Sequence, residues 1–132
     1  MKVSRYNAKD CTILINGVYL TGLAEDMVTW AKKEPLFEPE VGAQGDVVKN
    51  EINDTLHEMT VTLQTTSPQV PMLLALKRNK EEFPAWCINK SLGLKMGGAM
   101  ASIEEMPEIN LGKTAGNIAV KLCVFDGDTI TE

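Results

Sequence analysis

An alternating segment near the middle of the chain places the strongest constraint on the fold. Over residues 56–65 the apolar and polar side chains alternate, with Met59, Val61 and Leu63 set against Glu58, Thr60, Thr62 and Gln64. A period of two places successive side chains on opposite faces of a β-strand. The segment therefore predicts a half-buried strand with one apolar and one polar face, which needs partner strands to be stable.

Further strands are indicated on both sides of this segment. Asn16-Gly17 separates two β-branched runs within residues 11–20, and this dipeptide is the strongest short signal for a β-hairpin. Additional strands are predicted at residues 27–32, 83–89, 99–103 and 117–125, with Gly93, Gly97 and Gly98 as separators and Asp126-Gly127-Asp128 as a turn. Most of the chain is predicted to be β-structure.

One short helix interrupts the strands. Ser67 has the character of an N-cap, Pro68 suits a first helical turn, and the apolar residues beyond them follow a helical spacing to about Asn79. With 132 residues the chain is long enough for one hydrophobic core, so we expect a single domain over residues 1–132.

The connection over residues 34–54 is long for a compact domain. It carries six acidic residues and one lysine, together with prolines and glycines. Its apolar residues are Leu36, Phe37, Val41, Val47, Val48 and Ile52. Connections of this length are usually functional or disordered. We predict that these six residues contact another subunit; a solvated acidic loop is the alternative.

Composition limits the classes of function. The net charge of −5 argues against a surface built to bind nucleic-acid phosphates. Cys11, Cys87 and Cys123 are odd in number and widely spaced, which predicts reduced core cysteines and no metal site. The longest apolar stretch, near residues 72–76, is too short to span a bilayer, so we expect no membrane insertion and synthesis in the cytoplasm.

No arrangement of residues predicts catalysis or cofactor binding. Gly112-Lys113-Thr114 resembles the end of a phosphate-binding loop, but a strand is predicted to follow it instead of a helix. His57 is the single histidine and lies on a strand, so the familiar His-dependent nucleophiles have no partner, although Lys-based variants stay open. We therefore predict no catalytic, cofactor-binding or metal-binding residues, and we expect Trp30 and Trp86 to pack in the core.

The order of the segments along the chain is informative in itself. An Asn-Gly hairpin comes first, followed by residues 20–26 (LTGLAED) before a strand and by residues 41–48 (VGAQGDVV). A Thr-rich strand then runs into residues 64–68 (QTTSP) and the short helix. From about residue 11 to residue 125 this order resembles the tail tube proteins of contractile phage tails. That family is similar to the tubes of phage-tail-like bacteriocins and of type VI secretion.

The resemblance implies a β-sandwich or barrel with one flanking helix and a long inter-strand loop. It implies a structural subunit that forms hexameric rings, which stack into a hollow tube inside a sheath. In the family a long loop or hairpin bridges to a neighbouring subunit or ring, and residues 34–54 match that element by position. The implied partners are copies of the chain and sheath, baseplate and tape-measure proteins, with DNA only as passing cargo. The implied location is a virion or tail-like particle assembled in the bacterial host cytoplasm.

The lumen of such a tube is expected to be acidic or at least not basic, because a basic wall would hold passing phosphates. The residues predicted to line it are Glu58, Thr60, Thr62 and Gln64. Three alternatives stay open: a baseplate or tube-initiator component of the same fold, a small β-domain that binds a ligand, and an enzyme.

Overall fold

β-Strands form most of the computed structural model, which describes residues 1–105, 109 and 111–131. The strands are β1 (Cys11–Ile15), β2 (Val18–Tyr19), β3 (Leu23–Lys32), β4 (Phe37–Val41), β5 (Val47–Glu51), β6 (His57–Gln64), β7 (Phe83–Asn89), β8 (Leu94–Glu105), β9 (Asn117–Val124) and β10 (Asp128–Thr131). A 3₁₀ turn (Ala8–Asp10) precedes β1, and the helix α1 (Val70–Asn79) lies between β6 and β7. The prediction of a mainly β fold with one short helix is confirmed.

One antiparallel sheet folds over on itself to form a sandwich. Its strand order is β2-β1-β7-β8-β9-β6-β3, with β10 paired to β8, and β4 and β5 form a separate two-stranded sheet. Ile13 of β1 and Met59 of β6 lie far apart in this order, yet they belong to the same buried cluster. Leu73 and Leu76 of α1 complete the cluster. The core therefore lies between the two halves of the sheet, with the helix at its side.

The two strongest local predictions are confirmed. In β6 Met59, Val61 and Leu63 are fully buried, while the intervening residues are half-buried. Between β1 and β2 Asn16 and Gly17 have positive φ angles of 52° and 78°, as a two-residue hairpin turn of the primed type requires.

The prediction that Gly97 and Gly98 separate strands is wrong. Both lie inside β8, where an added Cβ would lie 2.1 Å from the carbonyl oxygen of Ala85 at Gly97 and 2.4 Å from Oδ1 of Asp126 at Gly98. The first half of β8 pairs with β10 and its second half with β9. The glycines allow the close backbone approach at which β8 passes from one neighbour to the other.

Asp126 holds this junction together. Its carboxylate accepts hydrogen bonds from the backbone N–H groups of Ala99 (3.2 Å) and Met100 (3.0 Å), where neither β9 nor β10 pairs with β8. The chain turns here as predicted, but Asp128 begins β10, a strand that the sequence does not reveal. All four residues of β10 face solvent. A short strand with no buried face shows no alternation of apolar and polar residues, so its sequence does not predict it.

The predicted start of the helix is displaced. The N-cap position is Gln69, whose side chain does not cap the helix, and the proline in the first turn is Pro71. Ser67 instead donates a hydrogen bond from Oγ to the carbonyl of Thr21 (2.6 Å), and the Gln69 side chain accepts one from the backbone N–H of Thr21 (2.8 Å). These polar side chains join the loop before β3 to the start of α1 instead of capping the helix.

The cysteines and tryptophans are only partly in the core. All three cysteines are free thiols; Cys87 is buried, but Cys123 is half-buried beside Glu58 on the polar side of the sheet. Trp86 lies on the outer face with Lys95 Nζ 4.5 Å from its ring centroid, because its neighbours Ala85 and Cys87 face inward. The expectation of core packing is wrong for Cys123 and Trp86. Whether these two side chains are buried depends on the alternation of faces along their strands and not on their residue type.

Candidate assembly surface

The segment between β3 and β6 folds as the hairpin of β4 and β5 and projects its apolar residues into solvent. Every residue of both strands is exposed. The exposed fractions of the large side chains are 70% for Leu36, 43% for Phe37, 66% for Val41, 64% for Val47 and 54% for Val48. Ile52 is half-buried, and its N–H donates to the carbonyl of Leu36 (3.0 Å). We call these six residues the hairpin surface.

The strand register divides the hairpin surface between two faces. Phe37 lies opposite Glu51 and Val41 lies opposite Val47, so Phe37, Val41 and Val47 share one face, which we call the Phe37 face. Val48 lies opposite Glu40 on the other face. The six residues predicted as one contact set are therefore adjacent in the fold but point in two directions.

Charge surrounds the apolar side chains of the hairpin. The segment 34–54 has six carboxylates, which are Glu34, Glu38, Glu40, Asp46, Glu51 and Asp54. Its lysine, Lys49, places Nζ 4.8 Å from the ring centroid of Phe37 and 3.9 Å from a carboxylate oxygen of Glu51. At the base, Lys32 of β3 contacts Asp54 at 3.5 Å. Two such hairpins repel each other. We therefore expect the hairpin to contact a neutral or basic surface on its neighbour.

The residues predicted to line a lumen lie together on the outer face of β6. Glu58, Thr60 and Thr62 are half-buried and Gln64 is exposed. Thr60 lies opposite Lys121 of β9, whose Nζ is 3.5 Å from Glu58 and 3.8 Å from Glu105. The structure brings these four residues together with cationic neighbours that the sequence analysis did not assign to the face.

A second ion pair belongs to the same face. Lys33 donates a hydrogen bond to Glu104, and this bond raises the pKa of the Lys33 ammonium group. Cys123 lies nearby, and burial raises the pKa of its thiol. The face therefore carries both carboxylates and ammonium groups, and these charges are paired.

A shallow apolar cavity of about 270 Å³ lies on the opposite half of the sheet. Its lining residues are Thr12, Leu14, Tyr19, Ile88 and Lys90. Leu14 lies opposite Tyr19 on one side and Trp86 on the other, which places an apolar stripe across β2, β1 and β7. The sequence does not reveal this surface, because β7 lies far from β1 and β2 along the chain.

The described residues contain neither a metal-binding cluster nor a membrane-spanning helix. No group of three or more His, Cys, Asp or Glu side chains there is arranged to hold a metal ion. No helix within the described ranges is long and apolar enough to cross a membrane.

Comparisons with known proteins identify the fold. No protein-family model and no curated protein matches the chain. Among solved structures, the tube-terminating cap of the anti-feeding prophage has a TM-score of 0.64 and 7% identity, over 100% of this chain and 96% of that one. The sheath/tube terminator of the extracellular contractile injection system PVC has a TM-score of 0.64 and 8% identity, over 98% and 99%.

A chain from the PVC sheath–tube complex has a TM-score of 0.61 and 7% identity, over 97% of this chain and 93% of that one. All three structures were determined for particles or caps of the contractile-injection type, and each likeness covers nearly the whole of both chains. The fold of this protein is therefore shared with components of contractile injection systems.

Proposed function

We propose that this protein is a structural subunit of a contractile phage tail or tail-like particle and that it assembles through the hairpin surface. The observation that carries the proposal is the exposure of five large apolar side chains on one projecting hairpin. Apolar clusters of this kind mark interaction sites in soluble proteins. Burying each side chain in a neighbour contributes about 1.5–3 kcal/mol to association. Residues 34–54 are thus the assembly element of a single domain that spans residues 1–132.

The specific arrangement that we propose is a hexameric ring that stacks into the hollow inner tube. The segment order of the sequence and the likeness to a chain of a sheath–tube complex support it. The partners are then copies of the chain, with sheath, baseplate and tape-measure proteins around and inside the tube. DNA passes only as cargo, and the protein resides in a particle assembled in the host cytoplasm.

A terminating ring is the second candidate. Two of the solved structures described above are terminators, and both have a TM-score of 0.64, against 0.61 for the sheath–tube chain. A terminator caps a tube and does not extend it. A baseplate or tube-initiator subunit of the same fold is a further alternative within this class.

In the tube arrangement we assign Glu58, Thr60, Thr62 and Gln64 to the lumen. Ion pairing of Lys121 with Glu58 and of Lys33 with Glu104 supports this assignment, because paired ammonium groups bind passing phosphates more weakly than free ones. An electron cryomicroscopy reconstruction tests the assignment directly. A wall formed by other residues, or dominated by unpaired lysine and arginine, contradicts it.

Sedimentation and negative-stain microscopy of the purified chain test the function itself. A tube subunit yields hollow filaments of uniform width that lengthen with concentration, whereas a terminator yields closed rings that do not lengthen. A chain that stays monomeric at every concentration contradicts both candidates and favours a small binding domain.

A further inference from the structure

Two thiols from distant parts of the sequence meet in the core. Cys11 begins β1 and Cys87 lies in the middle of β7, and their Sγ atoms are 3.5 Å apart. Cys11 pairs with Asn89 and Cys87 pairs with Ile13, so the two cysteines are diagonal neighbours on the inward face of adjacent antiparallel strands. Sequence spacing does not indicate this pair, since 76 positions separate the cysteines.

We propose that Cys11 and Cys87 are a site of oxidative modification, at which a disulfide oxidant such as oxidised glutathione converts the two thiols into one disulfide bridge. The sulfurs of a disulfide lie about 2.05 Å apart, so the bridge needs a closing movement of about 1.5 Å. Side-chain rotation supplies only part of this movement. Diagonal neighbours on adjacent strands lie about 7–8 Å apart, whereas the Cα atoms of a disulfide are usually about 4.4–6.8 Å apart, so β1 and β7 must also move slightly toward each other. The third cysteine, Cys123, lies on the other face of the sheet and is not part of the site.

The order of reaction follows from exposure. Cys11 is half-buried and Cys87 is fully buried, so the oxidant meets Cys11 first. The Cys11 thiolate attacks one sulfur of oxidised glutathione and releases one glutathione thiolate. Cys87 then loses its proton and attacks Sγ of Cys11, which releases the second glutathione thiolate. Because burial raises the pKa of the Cys87 thiol to about 12, this second step is slow at neutral pH and becomes faster as the pH rises. Two thiol protons pass to the two glutathione molecules, which have gained the two electrons that the protein has lost.

The bridge constrains the unfolded chain more than the folded one. It closes a loop from residue 11 to residue 87, which covers more than half of the chain. Closing a long loop lowers the conformational entropy of the unfolded state and so raises stability. The reduced protein is already folded around these thiols, so oxidation adds stability without a new architecture. This site is independent of the assembly function proposed above.

Mass spectrometry of the full-length chain tests the proposal. After treatment with oxidised glutathione, the intact mass should fall by two hydrogen atoms, and non-reducing tryptic digestion should link peptide 10–32 to peptide 81–90. The thermal midpoint should rise by about 5–10 °C over that of the reduced protein. Cys123→Ala should keep both effects, whereas Cys11→Ala and Cys87→Ala should each lose them.

Three results would overturn the proposal. The first is a glutathione adduct that persists on Cys11 without resolving, and the second is a bridge that includes Cys123. The third is an unchanged or lower thermal midpoint in the bridged protein. Cys11→Ala is the decisive variant, because Cys11 is only half-buried and its truncation disturbs the core less than truncation of Cys87.

Discussion

The indole of Trp30 stacks on the imidazole of His57, with the ring centroids 4.6 Å apart and the planes inclined by 13°. Trp30 also donates a hydrogen bond from Nε1 to Oγ1 of Thr129 (2.9 Å). Since Thr129 belongs to β10, which pairs with β8, one side chain connects β3 at the edge of the sheet to both β6 and β10. This contact joins β3 and β10, which do not pair with each other in the sheet.

Replacing Trp30 should therefore loosen the sandwich. We expect Trp30→Ala to lower the free energy of unfolding by about 2–4 kcal/mol, because it removes a large partly buried ring and the stacking contact of that ring with His57. Thr129→Val isolates the hydrogen bond and should cost about 1 kcal/mol. Urea denaturation measures both changes. Equal losses in the two variants would contradict the packing role of the indole.

The glycines of the chain offer a matched pair for testing the β8 junction. An added Cβ at Gly98 meets Asp126 and Val124 at 2.4 Å and 2.7 Å, whereas one at Gly112 meets nothing within 4 Å. Gly98→Ala should cost about 2 kcal/mol or more, since either Asp126 or the strand must shift. Gly112→Ala should change stability by less than about 0.5 kcal/mol. If thermal denaturation shows the two variants to be alike, Asp126 does not constrain the junction.

Burial makes the stability of the reduced protein sensitive to alkaline pH. Desolvation raises the pKa of the Cys87 thiol from 9.0 to about 12, with Cys11 as a further cause. Because the folded pKa lies above the unfolded one, the neutral thiol stabilises the fold fully below pH 9, and this contribution is lost as the pH rises toward 12. The free energy of unfolding in reductant should fall over that interval.

The Cys87→Ala variant provides the control for this pH effect. It is expected to be less stable at neutral pH, but its stability should fall less steeply above pH 9 than that of the wild type. The comparison removes the contributions of tyrosine and lysine residues, which both proteins share. Parallel curves would show that the Cys87 thiol does not cause the loss.

Charge on the Phe37 face should block assembly. The double variant Phe37→Asp, Val47→Asp places two carboxylates on one face of an acidic hairpin and removes two apolar contacts. Association should weaken at least about 100-fold, as judged by sedimentation velocity. The same double change at exposed Leu92 and Leu111 serves as the control and should leave assembly intact. Normal assembly of the hairpin variant would exclude this face as the contact.

Local signals predicted the elements, and long-range contacts decided the exceptions. The hairpin at Asn16-Gly17 and the alternation in β6 depend on neighbouring residues, so the sequence was sufficient for them. In the sequence, Gly97 and Gly98 have the character of turn residues. In the fold, Ala85 and Asp126 lie so close to them that only glycine fits. The start of α1 differs from the prediction because Ser67 bonds to Thr21. These partners lie at least 12 residues away, beyond any local pattern.

The candidate assembly surface could also be predicted from the sequence only in part. Composition was enough to single out the apolar residues of segment 34–54, but their division between two faces depends on register. The turn that pairs Val41 with Val47 fixes that register, and a slip of one residue would move Phe37 to the other face. The cavity beside Tyr19 depends on the pairing of β1 with both β2 and β7, which no single segment of the sequence encodes.

The placement of β8 at the centre of the sheet also bears on the order of events during synthesis. β1 finds its main partner in β7, and β6 lies between β3 and the late strand β9. Most contacts that bury the core thus join segments made at different times, and such non-local pairing slows folding. The core closes only after β9 has left the ribosome, so we expect the exposed hairpin to meet its neighbours after this domain has folded.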